Sequence, residues 1–60
     1  MMPRELEKLI RKDGWIYKET CGSHKQFVHP DKPGKVTIPQ HSRDLHPKTV
    51  NSILRQAGLR

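Results

Sequence analysis

Trp15-Ile16-Tyr17-Lys18-Glu19-Thr20, then Cys21-Gly22-Ser23, then His24-Lys25-Gln26-Phe27-Val28-His29 is the stretch whose reading decides the fold. Two runs with aromatic and branched side chains flank a short turn signal, the pattern of a β-hairpin with strands over 15–20 and 24–29. Trp15, Ile16 and Tyr17 are apolar on both parities, so the buried face of the first strand stays open at this point. Phe27 is the evident core residue of the second. Strict alternation then places His24 on the opposite face from Phe27, with Gln26 beside it.

Reading outward, Pro30 to Gly34 forms a loop, with Pro33-Gly34 suited to the centre of a type II turn. Lys35 to Ile38 predicts a third short strand with Val36 and Ile38 inward and Thr37 outward. Pro39 ends it, because proline cannot donate to a strand ladder. On the other side of the hairpin, Pro3 to Asp13 predicts a helix with Leu6, Leu9 and Ile10 as its apolar stripe. Pro3 suits the first helical position, and Glu5, Glu7, Arg11 and Lys12 complement the helix dipole. Met2 offers no oxygen for the cap. After a polar loop over 39–46, Pro47 to Gln56 predicts a second helix. Val50, Ile53, Leu54 and Ala57 make its periodic stripe, and Gly58 closes it.

The order is helix, three strands, helix. Short connections favour an antiparallel meander, and two apolar helix stripes need one sheet face to cover. The expectation is a single α+β domain over residues 1–60. It has a three-stranded antiparallel sheet with both helices on one face and the other face open.

Composition narrows the function. Twelve Lys and Arg against six Asp and Glu give a net charge of +6 in 60 residues, with a pI near 10.0 and a mean hydropathy of −0.89. That balance favours a polyanionic partner. No apolar run approaches the roughly 18 residues of a membrane span. Met1-Met2-Pro3 is not followed by a leader-like apolar stretch, so a cytoplasmic location is expected. The single cysteine, Cys21, forms no internal disulfide.

Four histidines, at 24, 29, 41 and 46, are the candidate chemistry. Cys21-x-x-His24 with His41 or His29 has a metal-like spacing on one side only, with no second ligand pair, so no metal and no other cofactor is expected. His29 and His46 read as exposed loop residues. Histidine is the side chain that titrates near neutrality and so serves acid–base catalysis. His24 follows Gly22-Ser23 at a strand mouth on the open face, with Lys25 and Lys18 near it in sequence or across the hairpin. RNA cleavage by the ribose 2′-hydroxyl needs such parts: a proton carrier and cations for the phosphorane charge. Ser23 as a nucleophile for His24 is disfavoured, because strand neighbours point to opposite faces. Core filling is the main reading for Trp15 and Phe27, while Tyr17 stands evenly between core and base stacking.

A set of ordered motifs adds a resemblance. Asp13-Gly14-Trp15, Gly22-Ser23-His24-Lys25-Gln26-Phe27, Pro39-Gln40-His41, Leu45-His46-Pro47-Lys48-Thr49 and Ile53-Leu54-Arg55-Gln56-Ala57-Gly58-Leu59 resemble the HicA family of mRNA interferase toxins over nearly the whole chain. The resemblance implies a double-stranded-RNA-binding-like α-β-β-β-α fold and a metal-independent endoribonuclease acting on mRNA. It implies His24 as the catalytic residue of the Gly-Ser-His motif, and a HicB-type antitoxin that masks the site. Lys48-Thr49 stands where the family often has Gly-Thr, with Thr49 still able to cap the helix. Cys21 stands where the family is commonly basic, so phosphate-binding charge falls to Lys18, Lys25 or Lys48. Ser23 and His41 complete the expected RNA-binding set, His41 either on phosphate or bracing its loop. The competing readings are a non-catalytic RNA-binding module and, more weakly, a DNA-binding subunit using Lys48, Asn51, Arg55 and Gln56.

Overall fold

The structure, a computed structural model, describes Met1–Arg60. Its elements are α1 (Pro3–Lys12), β1 (Ile16–Cys21), β2 (His24–Val28), β3 (Lys35–Pro39) and α2 (Pro47–Gln56). The strands form one antiparallel sheet in the order β1-β2-β3, the meander expected of the short connections. The α+β class and the element order are as expected. Boundaries move by a residue or so: Asp13 caps α1 instead of ending inside it, β1 starts at Ile16, and β3 includes Pro39. No helix is long and apolar enough to cross a membrane.

The hairpin turn is Gly22-Ser23. Gly22 has φ +59 and Ser23 has no positive φ. One positive φ at the first central position is the signature of a type II′ turn, whose twist matches the flanking strands. Register then fixes the faces. Tyr17 pairs with Phe27 and Phe27 with Val36, while Lys25 pairs with Ile38. These lie on the helix side. Cys21 pairs with His24 and His24 with Pro39, while Gln26 pairs with Thr37. These lie on the open side.

The core is built on that frame. Phe27, Val36 and Ile38 of the sheet are wholly buried against Leu6 and Ile10 of α1 and Ile53, Leu54 and Ala57 of α2, with Leu45 and Trp15 closing the ends. Burying each large side chain contributes about 1.5–3 kcal/mol relative to exposure. Leu9 departs from the expected stripe and is 42% exposed. The buried pair Leu6 and Ile10 is one full turn apart, and Leu9 lies off that line.

Strand β1 is exposed along its whole length. Ile16 sits on the open face, 55% exposed, and Tyr17 overhangs the core at 42%. Both helices pack against β3, so the far edge of the sheet projects beyond them. Only Trp15, just before the strand, enters the core, and its Nε1–H donates to the Ala57 carbonyl at 3.2 Å. Tyr17 is thus not a core residue. Its ring meets Phe27 edge-on at 6.0 Å and its hydroxyl bonds Thr20 Oγ1 at 2.7 Å.

Two histidines read as free loop residues have structural work. His29 has a side chain only 7% exposed. Its Nε2–H donates to the Asp13 carbonyl at 2.8 Å, and its Nδ1 accepts from the backbone N–H of Asp31 and of Lys32 at 3.0 and 3.1 Å. That bonding pattern assigns the proton to Nε2. Trp15 meets its ring edge-on at 5.2 Å. His46, although exposed, is the N-cap of α2, its Nδ1 accepting from Lys48 N–H at 3.0 Å. Thr49 is therefore not the cap. An imidazole nitrogen supplies the acceptor usually given by a hydroxyl or carboxylate.

Candidate functional site

A groove of about 310 Å³ opens where α2 runs beside β3. Its sheet wall is His24, Thr37 and Pro39, and its helix wall is Lys48, Thr49, Ser52, Ile53 and Gln56. The sheet residues are there by register, since His24 faces Pro39 across the ladder and Thr37 follows two residues before Pro39 on the same face. The helix residues are there by period. Thr49, Ser52 and Gln56 recur at helical spacing along one edge of α2, with Ile53 as an apolar floor. The position of His24 is further held by the hairpin turn, because Ser23 O accepts Gln40 N–H at 2.7 Å and extends the β2–β3 ladder past His24.

His24 differs from the other three histidines. His29, His46 and His41 each accept a backbone N–H, the last from Arg43 at 3.4 Å. The His24 side chain makes no hydrogen bond with the protein and is exposed. Both ring nitrogens are therefore free to exchange protons with a ligand. Cys21, its neighbour on β1, is exposed and in no disulfide. No three His, Cys, Asp or Glu side chains come together as a metal-ligand group.

Charge around the groove is one-sided. Lys48 is its only charged lining residue, and no carboxylate lines it. Four of the six acids are engaged elsewhere. Glu7 pairs with Arg11 and Lys25, Asp13 with Lys32, and Asp44 with the N-terminal amine at 3.6 Å, while Glu5 accepts Met2 N–H at 3.0 Å. The hydrogen bond from Lys32 is the main cause that holds the Asp13 carboxyl below its ordinary range. Glu19 and Asp31 have no such partner, and Glu19, paired with Gln26 across the hairpin, shares the open face with His24 outside the groove.

Of the residues expected to bind RNA, Lys48 shares the groove with His24. Lys25 does not. It has the parity of Phe27, and its Nζ donates to Glu7 Oε1 at 3.2 Å, so it faces α1 on the opposite side of the sheet. Lys18 is the bulged residue of β1, passed over between the Tyr17 and Glu19 pairs, and is exposed. Ser23 is exposed in the turn beside His24. His41 is exposed in the loop after β3 and lines a separate shallow surface with Arg4, Gln40 and Ser42. Thr37, Thr49, Ser52 and Gln56 escaped the sequence reading as partners of His24. The polar run at helical spacing in α2 was visible there, but its side of contact depends on how α2 lies against β3.

Comparison with known proteins gives one family. The family model described as the HicA toxin of bacterial toxin–antitoxin systems matches residues 3–59. No curated protein matches the chain.

Proposed function

Because the chain belongs to the HicA family of bacterial toxins, we propose that it is an endoribonuclease that cleaves mRNA through His24. A toxin of this family implies an antitoxin partner. The observation that carries the catalytic reading is the one histidine without a protein hydrogen bond, standing in a groove whose sole charged neighbour is Lys48.

The chemistry follows from those groups. Neutral His24 takes the proton of a ribose 2′-hydroxyl. The 2′-oxygen bonds to the adjacent phosphorus, the bond to the 5′-oxygen breaks, that oxygen takes a proton from water, and the His24 imidazolium returns its proton to the hydroxide so formed. The products are a 2′,3′-cyclic phosphate and a 5′-hydroxyl. Lys48 stabilises the charge that grows on the phosphoryl oxygens, with Lys18, Ser23 and His41 on the approaches and Lys25 on the opposite sheet face. The nucleophile belongs to the RNA, so the reaction as proposed is metal-independent and uses no small-molecule cofactor. It would take place in the cytoplasm.

The antitoxin, of the HicB type, would present acidic side chains to this cationic side and cover His24. Digestion of a defined RNA, with the ends of the products identified, tests the mechanism. Cyclic phosphate ends, formed equally in excess chelator, support it. Ends of another chemistry, or loss of cleavage on chelation, would overturn it. Binding of RNA with no cleavage would favour the non-catalytic module instead.

A further inference from the structure

The groove holds a second group whose availability is as unusual as that of His24. The chain has four carboxamide side chains: Gln26, Gln40, Asn51 and Gln56. Gln26 accepts from Lys35 Nζ at 3.3 Å, Gln40 donates to the Ile38 carbonyl at 3.1 Å, and Asn51 accepts from Arg60. Gln56 alone has no protein partner, and it lines the groove with His24. A free carboxamide presents a donor and an acceptor side by side, which is the arrangement that matches N6–H and a ring nitrogen of adenine.

Its place along α2 fits such a reader. Gln56 lies eight residues after Lys48, about 12 Å along the helix axis at 1.5 Å per residue. That is the scale of one extended nucleotide measured from phosphate to base edge. The hydroxyls of Thr49 and Ser52 lie between the two and have no protein hydrogen bond. A cation is at one end, an amide at the other, and hydroxyls stand between them at the level of a ribose.

We infer that Gln56 is a specificity-determining residue that binds the base of a nucleotide next to the scissile phosphate and prefers adenine. This rests on the proposed ribonuclease function. The base edge must be free to meet the amide, so the substrate is unpaired RNA.

The test uses a pool of short unpaired RNAs in which the base at the cleaved position is varied, digested by wild type, Gln56→Ala, Gln56→Glu and His24→Ala. The readout is the ratio of cleavage next to adenine to cleavage next to the other bases. Wild type favours adenine, and Gln56→Ala lowers that ratio by roughly tenfold, the scale of one bidentate base contact. Gln56→Glu replaces donor and acceptor by acceptors alone and moves preference toward cytosine, whose N4–H₂ donates. Gln56 is exposed on a helix, so both variants should keep the wild-type far-UV circular dichroism spectrum, which is recorded alongside. An even base distribution in wild type, or the same ratio in wild type and both variants, would overturn the assignment of Gln56 and leave the ribonuclease reading intact. Absence of cleavage by the wild type would instead overturn the ribonuclease reading, and cleavage by His24→Ala at the wild-type rate would overturn the role of His24 in it. Equal cleavage of unpaired and duplex RNA would overturn the substrate class.

Discussion

Gly14→Ala is the substitution whose cost the structure sets most tightly. Gly14 has φ +105, and a Cβ built there would meet His29 Nε2 at 2.8 Å. A left-handed backbone at a residue with a side chain costs roughly 1–2 kcal/mol. His29 cannot give way freely, because Nε2 is bonded to Asp13 O and Nδ1 receives two backbone N–H groups. Displacing the ring loses at least one of these bonds, about 0.5–1.5 kcal/mol. The total is roughly 1.5–3.5 kcal/mol, against a stability of about 3–9 kcal/mol for a domain of this size. Gly34→Ala is the control, since Gly34 has φ +78 and nothing within 4 Å of the added Cβ. It carries the backbone strain without the collision. Urea unfolding followed by far-UV circular dichroism should therefore show Gly14→Ala to be about 0.5–1.5 kcal/mol worse than Gly34→Ala. Equal losses in the two variants would refute the role given to His29 as a fixed brace.

Other consequences follow from the same geometry. Leu6→Ala should lose about 2–5 kcal/mol in the same urea assay, whereas Leu9→Ala, on the exposed side of α1, should stay within about 0.5 kcal/mol. Asp13 is held below its ordinary range chiefly by Lys32, so its contribution is present above the unfolded value near pH 4 and lost as pH falls through the lower folded value. Asp13→Asn should therefore flatten that part of the acid unfolding curve below about pH 4, measured by urea midpoints across the acid range. Lys48→Ala should weaken RNA binding and lower the slope of log affinity against log salt by about 1. Lys25→Ala should leave that slope nearly unchanged, because its ammonium is bound to Glu7.

Much of this arrangement is legible in the residues, and the exceptions have physical causes. Helix α2 reads clearly because Val50, Ile53, Leu54 and Ala57 face one core. The open-face position of His24 follows from alternation once Phe27 is placed inside. The same alternation puts Lys25 with Phe27, a consequence outweighed at the sequence level by its adjacency to His24. For β1, periodicity carried no answer, since three apolar residues in succession satisfy either face. The outcome was neither, because the strand projects past both helices and only Trp15 turns inward. The bracing role of His29 depends on Asp13, sixteen residues away, and on a loop that folds its amides back onto the ring. Contacts of that range leave no local pattern. The helix wall of the groove is hidden for the same reason, since it depends on the line that α2 takes along β3.

The central claim is that the unbonded imidazole of His24 carries the proton in cleavage. The most direct measurement is the single-turnover rate on a defined RNA for the wild type and His24→Ala, at matched fold content and saturating protein. Loss of general acid–base catalysis predicts a fall of roughly 10²–10⁴-fold in that rate with RNA binding retained. A rate for His24→Ala within a few-fold of wild type would contradict the account.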